Sequence, residues 1–536
     1  MRRAFFLLAT LPALIAASGA PSAQGTPRLV VILVVDQLRA DYLQTFDRHW
    51  RSGFRSLLDE GLVFENARYP YLVTVTCPGH STIGTGALPR THGMVSNTWW
   101  DRETRRMVGC TADPDSPDIT YGRPVLLANS GRTILVPTLA DELRAQKPGA
   151  RVVTVSLKAR SAIGLAGHGG DAVVWFDDAA GSFATSRAYA AGPVPAVKAF
   201  IDEHAFERDN GRIWTLSAPA DTYVMRDAGV GERPPVSWSG LFPHPVTSRD
   251  GTGGAAQFYN LWQSAPLADA YVARLAESLV DSLALGQRDT TDFLGISFSA
   301  LDRVGHSFGP QSREVEDLLR QLDVTVGQVI AHLDARVGRA NYMLAFSADH
   351  GVAPIGIAPK GGRIANEDVG ERIEETLTAH FGALEEGSYV ETSSFTDVFL
   401  APGVIDGLTG APSVMVALQQ ALKAIPGIER VLRADQLSDR SSDPVVRSAA
   451  LSYRLGRSGD LVLVPRKYWY FGGRTGGGTT HGTLHEYDQH VPLIILGGGV
   501  RHRRDRSAAT PADVAPTLAT FAGVRLEKAE GKNLLK

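Results

Sequence analysis

The chain has 536 residues, enough for two to four ordinary domains or for one enlarged domain with insertions. Hydrophobic residues make up 44% and charged residues 21%, ordinary for a globular protein, and the formal net charge is −3. That balance excludes a general nucleic-acid binder, so any anion the protein handles must be met by locally placed positive charge.

Met1-Arg2-Arg3, an apolar run from Ala4 to Ala17 and small residues up to Ala23 have the three parts of a secretory signal peptide. The run is short for a membrane anchor and ends in Ser, Gly and Pro, so cleavage of residues 1–23 and delivery to the periplasm or the medium are expected. Losing Arg2 and Arg3 takes the basic residues from 54 to 52 against 57 acidic ones, a net of −5. No later stretch is apolar enough to form a stable membrane span. Cys77 and Cys110 are the only cysteines. In an exported chain they could pair or stand as two free thiols, and the residues leave both open.

Leu29 to Val35 is an aliphatic run with high strand propensity, ending in Asp36. Helical stretches around Ala40 to Trp50 and Phe54 to Glu60 follow, then a strand at Leu62 to Ala67. Thr76-Cys77-Pro78 is a helix-start signature leading into Ser81 to Gly86. Pro137 to Ala145 reads as a helix, and Arg151 to Ser156 and Ala172 to Phe176 as strands. Between residues 177 and 263 the alternation fades and Gly, Pro, Trp and Tyr are frequent, as in an insertion lying over a core. Ala265 to Leu285 is helical, Phe293 to Phe298 a strand and Glu314 to Leu333 an amphipathic helix. Asn341 begins an apolar strand that breaks off into Asp349 and His350. Residues 354–473 predict a second insertion; Val491 to Leu496 is a late strand and Pro511 to Ala522 a final helix. This alternation predicts an α/β fold, a doubly wound and mostly parallel central sheet with helices on both faces, carrying inserted cap regions.

Ligand sites in such sheets lie beyond the carboxyl ends of the strands. Asp36, Asp302 and Asp349 each follow an apolar strand by no more than four residues, so parallel strands would bring three carboxylates to one rim. His306 follows Asp302 at helical spacing, and His350 and His481 complete three Asp and three His. Singly, Asp36 reads best as a helix cap, Asp302 and His306 as a local pair and His481 as a loop histidine. Together they predict metal sites. Nitrogen and oxygen ligands without cysteine suit Zn2+, with other divalent ions also compatible. Six ligands and one hydroxyl divide into two sites, and paired cations can activate a nucleophile and hold a leaving oxygen. Thr76, at a helix N-terminus, is the candidate hydroxyl. Lys158 and Arg160 read either as a solvated loop pair or as a clamp on phosphoryl oxygens, and Asn97 as a turn residue or an amide donor.

These residues together resemble the alkaline phosphatase superfamily, most closely exported bacterial alkaline phosphatases with a threonine nucleophile. The resemblance runs in order through Val34-Val35-Asp36, Thr76-Cys77-Pro78-Gly79-His80, Thr91 to Asn97, Ser156-Leu157-Lys158-Ala159-Arg160, Leu301 to His306, Ala348-Asp349-His350-Gly351, Thr480-His481-Gly482 and Pro511 to Ala522. It implies a two-zinc site. Asp302, His306 and His481 would hold one ion; Asp36, Asp349, His350 and the Thr76 oxygen would hold the other. Thr76 would be phosphorylated and then released by water, with Asn97, Lys158 and Arg160 on the phosphoryl oxygens. Nucleotide pyrophosphatases and phosphodiesterases are similar in ligands and threonine, but that family lacks the Lys-x-Arg clamp. Its presence implies broad phosphate monoester hydrolysis for phosphate scavenging, with small-molecule esters as substrates and diester hydrolysis as the alternative. A sulfatase signature is broken, because Cys77 is followed directly by Pro78. A non-enzymatic metal-binding protein would be expected to lack a ligand or the nucleophile, and none is missing.

Overall fold

The computed structural model describes residues 26–247, 254–356 and 360–535. The expected leader, residues 1–23, lies outside them. Among the described residues no helix is long and apolar enough to cross a membrane.

The molecule is organised on an eleven-stranded sheet. Its strands, numbered in chain order, are β1 (Leu29–Val35), β2 (Leu62–Ala67), β3 (Ala112–Thr120), β4 (Ala128–Asn129), β5 (Val152–Ser156), β6 (Ala172–Asp177), β7 (Ser182–Ser186), β8 (Asp292–Phe298), β9 (Tyr342–Ser347), β10 (Leu493–Gly497) and β11 (Arg503–Ala509). The spatial order is β11-β2-β10-β9-β1-β8-β5-β6-β7-β3-β4. The central five, β9-β1-β8-β5-β6, pair parallel throughout. Antiparallel pairing begins on both sides, with β10 beside β9 and β7 beside β6, while the edge pair β2–β11 is again parallel. The sheet is therefore mixed, and its parallel character is concentrated at the centre, where both faces are covered and every residue of β1 is buried.

Alternation within β1 feeds two cores. Val31, Leu33 and Val35 face helices α1 (Gly53–Glu60), α5 (Pro266–Ser282) and α7 (Arg313–Arg336), packing with Phe54, Leu275 and Leu319. Val30, Ile32 and Val34 face α2 (Thr76–Thr85), α3 (Leu139–Gln146), α4 (Ala159–Ala166) and α8 (Val514–Ala522), packing with Ile83, Leu143, Leu165 and Leu518. A further helix, α6 (Ala300–Phe308), leaves the carboxyl end of β8. The expected long helix from Ala40 to Trp50 is instead a turn of α-helix at Tyr42–Thr45 and a 3-10 turn at Asp47–His49. Trp50 is buried there against Phe54 and its indole N–H donates to the Leu43 carbonyl, so tertiary packing folds the segment back on itself.

The two irregular regions differ in kind. Phe200, Phe206, Trp214, Trp238 and Trp262, from residues 177–263, join the same core as α5 and α7. The later region makes a four-stranded antiparallel sheet from Val390–Ser394, Asp397–Leu400, Ile428–Arg433 and Leu461–Pro465. Helices Asn366–Phe381 and Pro412–Lys423 cover it over a core of its own, including Ile373, Leu418 and Leu463.

Candidate active site

Four adjacent parallel strands, β9, β1, β8 and β5, end level with one another: Val34 pairs with Ser347, Val35 with Phe298 and Ser297 with Ser156. The residues just beyond them therefore share one rim. Asp36 follows β1, Asp349 and His350 follow β9, Lys158 follows β5, and Asp302 and His306 sit four apart on α6 after β8. His481 reaches the same place from a loop that follows a glycine-rich segment.

The side chains form a chain of close contacts. His80 Nδ1 lies 3.3 Å from Asp349 Oδ2, which is 3.2 Å from His350 Nε2. His350 Nε2 is 3.5 Å from Asp36 Oδ1. The Lys158 ammonium donates to Asp36 Oδ2 at 2.6 Å and to Asp302 Oδ2 at 2.5 Å. Asp302 Oδ1 lies 3.1 Å from His306 Nε2 and 3.6 Å from His481 Nε2. Two donor groups are compact enough for one ion each: Asp302 with His306 and His481, and Asp36 with Asp302 and His350. Asp349 stands just outside the second. Its Oδ1 is held by the backbone N–H groups of Gln37 and His350, at 3.1 and 3.0 Å, while Oδ2 faces His350 and His80.

Three features fit these residues to metal cations. Asp36 Oδ1, Asp349 Oδ2 and His350 Nε2 are buried without a hydrogen-bond partner. Each of the three candidate ligand histidines has Nδ1 on a backbone carbonyl: Thr479 O for His306 (2.8 Å), Gly351 O for His350 (2.9 Å) and Thr74 O for His481 (2.9 Å). Carbonyls only accept, so Nδ1 carries the proton and Nε2 turns its lone pair toward carboxylate oxygens. Acceptors facing acceptors suit a cation placed between them. Lastly, three buried carboxylates have one lysine among them, leaving negative charge for cations to offset.

The electrostatics follow. Burial, then the Asp302 and Asp349 charges, push the Asp36 carboxyl well above its usual range. Burial acts the same way on Asp302, but His306 and Lys158 outweigh it and hold Asp302 well below its usual value. Asp349 is also lowered: burial opposes this, but His350 and His80 outweigh it. Burial lowers His350 to about 3 and lowers His481, keeping both imidazoles neutral and fit for metal binding.

Thr76 is buried at the first position of α2. Its surroundings fix it against the cluster: His80 Nδ1 donates to its carbonyl at 3.0 Å, and His481 bonds Thr74 two residues earlier. A Cβ on Gly79 would lie 2.6 Å from the Cβ of Asp349 and closer still to its carbonyl oxygen, so only glycine lets α2 approach this far. Asn97 Oδ1 accepts from the Cys77 N–H at 2.8 Å. Cys77 and Cys110 form a disulfide, which joins α2 to the segment whose Cys110 N–H bonds the Asn97 carbonyl. Asn97, Lys158 and Arg160 line one cavity of about 540 Å3 together with Arg303, Gln263 and Trp175.

Gln37 and Asp269 join the site from outside the predicted set, and His80, seen in sequence only within the Thr76 motif, takes a place beside Asp349. Gln37 adopts φ +71°, a strained conformation for a residue with a side chain, and donates from Nε2 to Asp302 Oδ1 at 2.7 Å as well as from N to Asp349. Its position next to Asp36 was the available signal. Asp269 accepts from the N–H groups of Ser299 and Ala300, tying down the start of α6 from a residue 30 positions away, which no local pattern announces.

The chain matches the family model for type I phosphodiesterase / nucleotide pyrophosphatase over residues 30–488. It belongs to that family. Among curated relatives, it is 32% identical to a calcium-transporting ATPase of Myroides odoratus, over 92% of this chain and 91% of that protein. It is 30% identical to alkaline phosphatase PafA of Elizabethkingia meningoseptica, again over 92% and 91%. The crystal structure of wild-type PafA superposes with a TM-score of 0.87 at 29% identity, covering 95% of this chain and 98% of that one. With alkaline phosphatases as family relatives along nearly its whole length, the chain is a phosphatase acting on phosphate esters.

Proposed function

We propose that the protein hydrolyses phosphate monoesters through a phosphothreonine at Thr76, with two zinc ions as cofactors. The observation that carries this reading is the cleft beside the carboxylate–imidazole cluster, with Lys158 and Arg160 on its wall. Asn97 lines it with them, and the buried Arg160 Nε has no hydrogen-bond partner. A monoester dianion offers three terminal oxygens to such a clamp; a diester carries an organic substituent where one of them would sit.

Bound cations would acidify the threonine hydroxyl and stabilise the departing oxygen. Asp302, His306 and His481 would hold one, and Asp36, Asp349 and His350 the other. The chain's own residues do the rest. The first turn of α2 would present the Thr76 oxygen to the phosphorus and the positive end of its dipole to the phosphoryl group. As the Thr76 O–P bond forms, the bond from phosphorus to the alcohol breaks. Water then cleaves the phosphothreonine to release inorganic phosphate and restore Thr76. Lys158 and Arg160 offset charge on the equatorial oxygens throughout. The disulfide supports work outside the reducing cytoplasm, in keeping with the expected leader.

The test is the rate ratio for an aryl phosphate against its bis-aryl diester. The expected result is a large monoester preference that Lys158→Ala and Arg160→Ala each erode by slowing the monoester far more than the diester. The family also includes phosphodiesterases, and a large diester preference in the native enzyme would overturn the monoester assignment.

A further inference from the structure

The contact chain described above has two ends. His80 and the Thr76 carbonyl lie at one, and His306 at the other. An in-line displacement attacked from the Thr76 end expels its leaving group toward the His306 end. A second cavity, of about 750 Å3, opens there. It is lined by His306, Ser307 and Thr479 from the site, by Arg233 and Asn260 from the region before α5, and by Arg363 from the later insertion.

The charge of this cavity is one-sided. Among the described residues no acidic side chain lines it, and two arginines do. A Cβ on Gly476 would lie 2.9 Å from Arg233 Nη1 and 4.0 Å from Arg363 Cζ, so both guanidiniums approach the same point of the loop Gly472 to Gly478. Arg363 also has a supporting task, since its Nη2 donates to the Gly478 carbonyl at 3.3 Å and its guanidinium stacks over Tyr470. Arg233 has none: its backbone N–H is bonded to Ser307, while its exposed side chain makes no ion pair among the described residues. The contrast is Arg303 in the first cavity, which is matched by Asp178 at 3.5 Å and donates to Gln263 at 2.9 Å. An unmatched arginine pair beside the leaving-group end is a receptor for an anion.

We propose that this second cavity is a leaving-group subsite that selects phosphate monoesters whose alcohol portion carries a further anion, a carboxylate or a second phosphate. The assignment rests on the monoesterase reading above. Asn260 and Ser307 supply polar contacts along the way, and Arg233 is the selecting residue because nothing else among the described residues uses its charge.

Matched substrates test this on the zinc-loaded full-length enzyme. 3-Phosphoglycerate against glycerol 3-phosphate, and fructose 1,6-bisphosphate against fructose 6-phosphate, differ by one anionic group, carboxylate in the first pair and phosphate in the second. The native enzyme should favour the anionic member in kcat/KM by roughly tenfold at low salt, the scale of one charge-assisted contact, and by less as salt rises. Arg233→Ala should bring that ratio close to one while leaving the neutral member within about twofold. Arg233→Glu should invert it. A native enzyme that turns over both neutral esters without favouring the anionic partners overturns the subsite and leaves the monoesterase reading standing. Equal losses on both members in Arg233→Ala do the same. Failure to hydrolyse any of the four, with diesters cleaved, overturns both.

Discussion

Gly79 sets how closely α2, the helix carrying the proposed nucleophile Thr76, approaches the cluster, so Gly79→Ala isolates that distance. The added methyl would sit 2.6 Å from Asp349 Cβ, whereas carbon atoms in contact settle about 3.5–4.0 Å apart. The first turn of α2 must therefore withdraw by about 1 Å, carrying Thr76 with it. Overpacking of this kind costs about 1–3 kcal/mol, and alanine regains about 1 kcal/mol over glycine in a helix, so the net loss of stability stays below about 2 kcal/mol. Rate responds more steeply: a misplacement of about 1 Å between reacting groups is worth about 100-fold. Initial rates on an aryl phosphate at saturating zinc, paired with urea unfolding, separate the two effects. Gly53→Ala is the control. Its methyl would lie 2.6 Å from Val326 Cγ1 where α1 crosses α7, a similar clash remote from the cluster. It should lose comparable stability and keep kcat/KM within about twofold. If Gly79→Ala stays folded and works within about threefold of the native rate, the approach of α2 to Asp349 does not govern turnover and the reasoning fails.

Exhaustive chelation should abolish hydrolysis, zinc should restore it, and free zinc at about 1,000-fold over its dissociation constant should raise unfolding stability by about 4 kcal/mol; full turnover after chelation would contradict the metal mechanism. Cys110→Ser opens a loop spanning 33 residues and should cost about 3–4 kcal/mol in urea unfolding, with a loss of kcat as Asn97 loosens from α2. Unchanged stability would show that the bridge does not constrain the unfolded chain. Burial raises the Asp397 carboxyl to about 6 in the later insertion, partly offset by the Gly459 N–H. The native state then binds more protons than the unfolded one between about pH 4 and 6, so Asp397 makes stability fall by about 2–3 kcal/mol as pH rises through that window and contributes no further slope above it. The native protein minus Asp397→Asn should show that slope in pH-dependent urea unfolding, and a flat difference would refute it.

What the sequence could announce was local. Each of β1, β5, β8 and β9 is a short apolar run broken by a polar residue, so the strand ends, and with them Asp36, Lys158, Asp302 and Asp349, could be read from pattern alone. Parallel pairing does the remaining work, because level strand ends put those side chains on one rim whatever lies between them in the chain. His481 was harder: it comes from a loop with no periodicity and counted only as the histidine completing a set of three Asp and three His. The antiparallel flanks of the sheet were not legible, since a late strand such as β10 has the same apolar composition in either direction and only its place beside β9 decides. Nor was Asp269, which acts 30 residues from the helix it secures. Arg233 carries no such local mark. In sequence it is one cation in a stretch rich in Gly and Pro, and a solvated surface is the sensible expectation. Its significance arises only when the region before α5, the later insertion carrying Arg363 and the loop carrying Gly476 meet at the His306 end of the site. Residues that build the rim are fixed by strand patterns; residues that would choose among substrates come from insertions, whose contacts are set by the assembled fold.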